Sequence, residues 1–287
     1  MAITQTPIRA RDGACSARLL EDDERDTDAP LLVCIHGGGC NARYFEMMRP
    51  SLADAALARG FAVLLVDRPG HGGNPAPASD QPVADSVAHI RDLVADVLAK
   101  HQPGTSNAAL VGHSIGGAVA LMLAADPRGL PWRAVAVSGI GDEPPAATRA
   151  WAAGATTGAN PGETEPVADM FFGPPGTYDW RGPAALRRVA EPWNLAEVLE
   201  IVSRWPKRWP DVAAAIRLPV HLRLADHDGI WHTGLHVVER MAARLTASSL
   251  VDAALLPDGG HVYDIHRRGP ELIAAQIDFV AGQIAGG

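Results

Sequence analysis

Residues 108–117 read AALVGHSIGG, and this stretch decides the fold. The run 108–111 is short and apolar, as expected of a buried strand, and residues 117–125 are typical of a helix. Between them lies the pattern Gly-x-Ser-x-Gly, with Ser114 at its centre. Small residues on both sides of the serine let the chain reverse without a side-chain clash. The sequence therefore predicts a tight strand-to-helix turn that presents the Ser114 hydroxyl at the carboxyl end of the strand.

The alternation of apolar runs and helical segments extends along the chain in both directions from this turn. Strands are predicted at residues 31–35, 61–66, 108–111, 134–137, 220–224 and 250–256, and helices at residues 50–59, 83–100, 117–125, 236–245 and 270–284. Apolar runs without polar alternation indicate strands that helices cover on both faces. The predicted fold class is α/β, with a doubly wound, mostly parallel sheet.

Residues 142–211 interrupt this alternation. The segment contains the breakers Pro144-Pro145 and Gly173-Pro174-Pro175-Gly176, and it holds five of the seven tryptophans, namely Trp151, Trp180, Trp193, Trp205 and Trp209. Helical patches between the breakers make it too structured for a linker and too irregular for another βαβ unit. We predict an inserted helical cap at 142–211 between two parts of one core, 1–141 and 212–287. Most tryptophans are expected to pack the cap against the core, with one or two lining a pocket.

Composition sets the class of protein and its partners. The 287 residues are 47% hydrophobic and 20% charged, which suits a globular chain with a sizeable core. A net charge of -8 without a Lys/Arg stripe predicts no binding to nucleic acid. The N-terminus lacks a signal-peptide pattern, and no stretch approaches the roughly 20 apolar residues of a membrane span. We therefore expect a cytoplasmic protein without a membrane span.

Two smaller features have simple interpretations. The acidic run at residues 21–28 is expected to be a solvated turn between strands. Cys15, Cys34 and Cys40 are odd in number, and we expect all three to be reduced.

A serine hydroxyl is a poor nucleophile and needs a base within hydrogen-bond reach. His261 follows the last predicted strand in a glycine loop, at the sheet edge where Ser114 is expected. The other histidines considered are predicted to lie on the surface: His89, His101, His236 and His266. A carboxylate that orients the base is expected after the preceding strand, where Asp226 and Asp228 both occur.

The order serine, aspartate, histidine on successive strand ends resembles the α/β-hydrolase superfamily over nearly the whole chain. In that family the acid generally occupies the last position of a Gly-x-x-Asp loop, which aligns with residues 225–228 and implies Asp228. Ala225 stands where the family usually has glycine, so Asp226 stays a second candidate. Asp142, after an earlier strand, is a third.

The resemblance also implies an oxyanion hole. The run His36-Gly37-Gly38-Gly39 follows an early strand, as the family's His-Gly loop does. Backbone N–H groups of Gly38 or Gly39, together with that of Ile115, would hold the oxyanion. The glycine run lacks the Gly-Lys-Ser/Thr ending of a phosphate-binding loop, the alternative that we considered.

The motif at residues 67–74, DRPGHGGN, resembles the family's Asp-x-x-Gly-x-Gly turn. Arg68 and His71 within it are expected to serve turn structure and packing. His232 and His236 are four residues apart, but the glutamate of a zinc peptidase is missing beside them, so no metal is expected.

The predicted function is a serine hydrolase that cleaves an ester of a small to medium, mainly apolar molecule and needs no cofactor. Five residues near the motifs are predicted to contact the substrate, although packing would explain them equally well: Cys40, Tyr44, Phe45, Trp231 and Val262.

Several alternatives stay open. They are a thioesterase or lactonase acting on a polyketide-like or fatty acyl substrate, a carbon–carbon bond hydrolase, and a non-catalytic hydrolase fold that binds a small molecule. The serine argues against the superfamily's dehalogenases and epoxide hydrolases, which use an aspartate at this turn. A peptidase of the proline iminopeptidase type shares the His-Gly-Gly loop but commonly has proline where Gly39 stands. The sequence leaves monomer and homodimer equally open.

Overall fold

The structure is a computed structural model that describes residues 2–24, 26, 28–154 and 170–286. Its strands are β1 (Ile3–Arg9), β2 (Ser16–Asp22), β3 (Leu31–Ile35), β4 (Ala62–Asp67), β5 (Ala108–His113), β6 (Trp132–Ser138), β7 (Val220–Ala225) and β8 (Val251–Leu256). They form one eight-stranded sheet in the order β1-β2-β4-β3-β5-β6-β7-β8. Strand β2 is antiparallel to both of its neighbours, and every pair from β4 across to β8 is parallel. The predicted mostly parallel sheet is confirmed.

The α-helices in the described ranges are α1 (Leu52–Ala58), α2 (Pro82–Lys100), α3 (Ile115–Ala125), α4 (Ala146–Gly154), α5 (Gly182–Arg187), α6 (Leu195–Ser203), α7 (Trp205–Ala215), α8 (Leu235–Ala242) and α9 (Gly269–Ala285). Short 3₁₀ helices cover Ala42–Glu46 and Tyr263–Ile265. Helices α3 and α9 both pack on β6, with α2 beside α3 and α1 beside α9.

The central strands are buried along their whole length. Every residue of β3 and of β5 is buried, as their uninterrupted apolar runs predict. Strands β1 and β2 were not predicted, because β1, at the sheet edge, is mostly exposed and β2, next to it, has several partly exposed residues, so neither forms an uninterrupted apolar run. Residues 21 and 22 of the acidic run belong to β2, so the predicted turn begins only at Asp23.

Helices α4 to α7 lie between β6 and β7, within or overlapping the predicted cap. Trp205 and Trp209 are buried, and the Trp205 indole donates a hydrogen bond to the Gly141 carbonyl at 2.8 Å. Trp180, by contrast, is 84% exposed and does not pack the predicted cap against the core. Helix α7 continues past the predicted cap boundary at residue 211 and ends at Ala215. Residues 155–169 of the predicted cap lie outside the described residues.

Two of the sequence predictions concern membrane spans and the pairing of the cysteines. No helix within the described ranges is long and apolar enough to cross a membrane. Cys15, Cys34 and Cys40 are buried and form no disulfide with one another. Burial raises the pKa of the Cys15 and Cys40 thiols to about 12, so both carry their proton at neutral pH.

Candidate active site

Ser114 sits at a strained turn between β5 and α3. Its backbone has φ 54° and ψ -123°, a conformation that non-glycine residues rarely adopt. The glycines around it leave no room for a side chain. A Cβ atom on Gly112 would lie 2.4 Å from the Gly116 carbonyl oxygen, and one on Gly116 would lie 2.0 Å from that of Ile35. The Gly-x-Ser-x-Gly spacing is therefore what lets β5, α3 and β3 meet at the serine.

A continuous chain of hydrogen bonds runs from Ser114 through His261 to Asp228. His261 Nε2 lies 2.9 Å from Ser114 Oγ, and His261 Nδ1 lies 2.8 Å from Asp228 Oδ2. An ionised carboxylate only accepts hydrogen bonds, so Nδ1 carries the proton and Nε2 is left to accept one from the serine. The other carboxylate oxygen, Oδ1, accepts from the backbone N–H groups of Ile230 at 2.8 Å and Trp231 at 3.4 Å. Asp228 and His261 are both buried.

The other two candidate carboxylates have different partners. Asp226 accepts hydrogen bonds from the backbone N–H groups of Asp258 and Gly259, each at 3.1 Å. Asp142 forms a bidentate ion pair with Arg240. Of the three aspartates, the structure brings Asp228 alone to His261.

His266 is buried, and the prediction that it lies on the surface is wrong. Its Nε2 atom accepts a hydrogen bond from the Gly260 N–H at 3.0 Å, and its ring stacks on Tyr263 with centroids 5.4 Å apart. The chain after His261 folds back over the loop, which local sequence does not reveal. Burial lowers the pKa of His266 to about 4, so the ring is neutral and accepts a hydrogen bond near pH 7. His101 and His236 are exposed as predicted, and His89 is partly buried.

The predicted oxyanion donors are backbone N–H groups of the glycine loop and of Ile115, the first residue of α3. Gly38 lies against the start of α3, because a Cβ atom built on it would be 2.8 Å from Ile115 Cδ1. Within the described chain, the N–H groups of Gly38, Gly39 and Ile115 donate to no backbone acceptor. Gly38 lines the cavity at Ser114, whereas Gly39 does not and accepts from the Glu191 N–H at 2.8 Å. The geometry thus favours Gly38 over Gly39 as the partner of Ile115.

A narrow cavity lies over the serine. It is lined by Gly37, Gly38, Cys40, Tyr44, His113, Ser114, Phe171, Leu186, His261 and Val262. Three of the five predicted substrate contacts, Cys40, Tyr44 and Val262, are therefore at the cavity. Phe171 and Leu186 were missed because they belong to the irregular insertion, where no sequence pattern indicates which side chains face the core.

Phe45 and Trp231 do not line this cavity. The Phe45 ring packs edge-on against Tyr44, with centroids 5.3 Å apart. The Trp231 indole lies against Gly141 and donates a hydrogen bond to the Gly139 carbonyl at 3.1 Å.

One wall of the cavity is a stack of buried polar rings. Tyr44 lies parallel to His113, with centroids 4.8 Å apart, and its hydroxyl donates to Asp264 Oδ2 at 2.6 Å. Burial lowers the pKa of His113 well below its usual range, and the nearby His261 acts in the same direction. His113 is therefore neutral and does not compete with His261 for a proton. Among the described residues, no cluster of three His, Cys, Asp or Glu side chains could hold a metal ion.

Comparison with known proteins places this geometry in a family. The magnesium-chelatase 30 kDa subunit of Rhodobacter capsulatus is 35% identical over 106 residues, which are 36% of this chain and 33% of that protein. The pimeloyl-[acyl-carrier protein] methyl ester esterase of Chromobacterium violaceum is 39% identical over 92 residues, 32% of this chain and 30% of that enzyme. The chain thus matches about a third of the length of these relatives.

The solved structure of a carboxyl esterase from Bacillus coagulans has a TM-score of 0.72 at 15% identity and covers 99% of both chains. At that identity the likeness shows the fold alone. The model of the Alpha/beta hydrolase family matches residues 32–276, from β3 into α9. The chain therefore belongs to the alpha/beta hydrolase family.

Proposed function

We propose that this protein is a serine hydrolase that cleaves carboxylic esters of small to medium, mainly apolar molecules. The observation that carries the proposal is the hydrogen-bonded series Asp228, His261 and Ser114, with separations of 2.8 and 2.9 Å. A serine alone is unreactive, and this arrangement supplies the base that it needs.

The reaction follows from the position of the proton. His261 Nε2 takes the hydroxyl proton as Ser114 Oγ bonds to the acyl carbon, and the imidazolium that forms is stabilised by Asp228. The N–H groups of Gly38 and Ile115 donate to the oxyanion. His261 then gives the proton to the departing alcohol, which leaves an acyl-enzyme. A water molecule, deprotonated by His261, releases the acid and restores the serine.

The cavity supports an uncharged, mainly apolar substrate. No lysine or arginine is among the described residues that line it, so a carboxylate on the reacting part of the substrate would be buried without a counter-charge. Cys40, Tyr44 and Val262 would contact the acyl or alcohol group, together with Phe171 and Leu186. The similarity to a methyl ester esterase over 92 residues agrees with an ester substrate.

The cavity is also tightly filled. The centre of a water molecule can occupy only about 10 Å³ of it, which is roughly the space of a single water. Short acyl groups therefore fit with the least rearrangement, and longer ones require Phe171 or Leu186 to move. The cap at residues 142–211, the absence of a cofactor and a cytoplasmic location belong to the same proposal.

The test is a panel of p-nitrophenyl esters from acetate to decanoate, assayed beside matched acyl thioesters. We expect ester turnover by the wild type, a loss of several orders of magnitude in Ser114→Ala, and an unchanged rate in the control Ser249→Ala. Ser249 is exposed two residues before β8 and lines no part of the cavity. Labelling of Ser114 by a fluorophosphonate reports the activated serine independently of substrate choice.

Each alternative gives a different result. Faster turnover of thioesters than of esters would indicate a thioesterase. Labelling without turnover of either would direct the search to lactones or carbon–carbon bonds. No turnover and no labelling would contradict the proposal and favour a protein that binds a small molecule without hydrolysing it.

A further inference from the structure

A buried arginine lies behind the loop that carries Gly38. Arg68 follows β4 and has no solvent exposure. Its Nε atom donates to the His36 carbonyl and its Nη2 atom to the Gly37 carbonyl, both at 3.1 Å. The planar guanidinium can hold both carbonyls at once because its N–H groups form a rigid fork. One side chain thus fixes two successive peptide units before Gly38.

The Gly37 carbonyl has a second donor. His36 Nδ1 lies 2.7 Å from it, and His36 Nε2 accepts from the backbone N–H of Arg68 at 3.4 Å. Burial, reinforced by the charge of Arg68, lowers the pKa of His36 well below its usual range. The ring is therefore neutral, with its one proton on Nδ1 and directed at the Gly37 oxygen.

The orientation of the Gly37 carbonyl determines the orientation of the Gly38 N–H. The carbonyl of Gly37 and the N–H of Gly38 belong to one planar trans unit and point in opposite directions. With the oxygen held on the side of Arg68 and His36, the Gly38 N–H is directed to the other side, where Gly38 lines the cavity beside Ser114. Rotation of this unit would turn the N–H away from the position of the oxyanion.

The counter-charge of Arg68 comes from the predicted cap. Glu197, in the first turn of α6, is buried and bonds Arg68 through both carboxylate oxygens, one of them 3.2 Å from Nη2. It also accepts from His71 Nε2 at 3.1 Å. Burial acts to raise the pKa of Glu197, but the charge of Arg68 and the contact with His71 outweigh it and leave the pKa lowered. The pair is therefore ionic, and it joins α6 to the glycine loop.

We propose that Arg68 is a positioning residue for the Gly38 N–H, and that Glu197 makes this position depend on helix α6. The inference rests on the proposed function, since it assigns a role within the same oxyanion hole. An oxyanion donor acts mainly in the transition state, so its misplacement lowers kcat and leaves KM nearly unchanged.

Two variants separate positioning from stability. Arg68→Lys keeps a charge opposite Glu197 but replaces the rigid planar fork with a single nitrogen, which cannot occupy the positions of both guanidinium nitrogens that hold the carbonyls. The double variant Arg68→Met/Glu197→Leu removes both charges, so no unpaired ion stays buried. The control is Arg223→Met, which removes a mostly buried arginine that pairs with Asp252 and lines no part of the cavity.

The measurements are kcat and KM for p-nitrophenyl acetate, the melting temperature, and the inhibition constant of a trifluoromethyl ketone that forms a tetrahedral adduct with serine. We expect kcat to fall about tenfold or more in both Arg68 variants, with KM changed by less than about twofold. The affinity for the ketone should fall by the same factor as kcat. The double variant should keep a melting temperature near that of the wild type while kcat stays low.

Wild-type kcat in either folded Arg68 variant would overturn the proposal. So would a double variant that recovers stability and kcat together, or a failure of both variants to fold, since Arg68 would then serve stability alone. Failure of the proposed function has a different signature, because wild type and Ser114→Ala would then hydrolyse the ester at the same rate.

Discussion

Replacing Asp228 with asparagine changes one atom and reverses the proton arrangement of the site. In the wild type, Asp228 Oδ2 accepts a hydrogen bond from His261 Nδ1 at 2.8 Å, and Asp228 Oδ1 accepts one from the Ile230 N–H. In the asparagine variant that second oxygen keeps its backbone donor, so the amide NH₂ group faces His261. Nδ1 must then accept, and the ring proton moves to Nε2, where it points at Ser114 and cannot take the serine's proton.

The expected loss is large. A triad with the wrong histidine tautomer loses about 10⁴-fold in kcat, which corresponds to about 5 kcal/mol of transition-state stabilisation. The fold should be nearly unaffected, because the asparagine has the same shape and keeps the hydrogen bond from Ile230. Initial rates on p-nitrophenyl acetate, with the melting temperature measured in parallel, test both expectations.

Asp226→Asn is the matched control, two residues away in the same loop. Asp226 holds the Asp258 and Gly259 N–H groups, so its replacement should cost about 1 to 2 kcal/mol of stability and only a few-fold in kcat. If Asp226→Asn lost more activity than Asp228→Asn, the assignment of the acid would be wrong. More than a tenth of wild-type kcat in Asp228→Asn would refute the tautomer mechanism itself.

Three further predictions concern packing, pH and pocket size. Gly116→Ala should abolish expression of folded protein, because its Cβ would lie 2.0 Å from the Ile35 carbonyl oxygen. The control Gly282→Ala, in α9 with open space around it, should raise the free energy of unfolding by about 0.5 to 1 kcal/mol in urea titrations. Burial lowers the pKa of His221 to about 4, so the unfolded chain binds a proton at that site between pH 4 and 6.5 and the folded chain does not. The free energy of unfolding should therefore decrease as pH falls through this window, by at most about 1.4 kcal/mol per pH unit for this group. Urea titrations at pH 7 and pH 5 should show a smaller decrease in His221→Leu than in the wild type. The same decrease in both proteins would contradict the prediction. Leu186→Ala should enlarge the cavity and move the ester preference toward longer acyl chains, and an unchanged chain-length profile would show that Leu186 does not limit the site.

The fold was predictable because its signals are local. Strand β3 and residues 108–111 of β5 are continuous short apolar runs, as expected of strands that helices cover on both faces. Strands β1 and β2 were not predicted because they have no continuous apolar run. Strand β1 lies at the edge of the sheet and β2 next to it, and their exposed or partly exposed residues give a weak pattern.

The candidate triad was also accessible from sequence, because topology constrains it. The carboxyl ends of β5, β7 and β8 meet at one edge of a parallel sheet, so residues that follow these strands converge. The family resemblance implied Asp228 with Asp226 as a second candidate, and the structure shows which of the two contacts His261. Both follow β7, and only the path of the loop directs one carboxylate to His261 and the other to the backbone at residues 258 and 259.

Contacts between segments far apart in the sequence could be identified only from the tertiary structure. His266 became buried because the chain folds back over the catalytic loop. Phe171 and Leu186 reach the cavity from an irregular insertion that has no periodicity to orient them. The pairing of Arg68 with Glu197 spans 129 residues of sequence, and nothing near either residue indicates the other.

By itself, then, the sequence determined the parallel strands β3 to β8, the turn at Ser114 and the loop that carries His261, because apolar runs and glycine spacing act over a few residues. The resemblance to a family implied Asp228, but only the tertiary structure decided which insertion residues line the cavity and how Glu197 reaches Arg68 behind the glycine loop. Those contacts depend on side-chain packing between segments far apart in the chain, where burial and charge pairing select the partners after the local elements have formed.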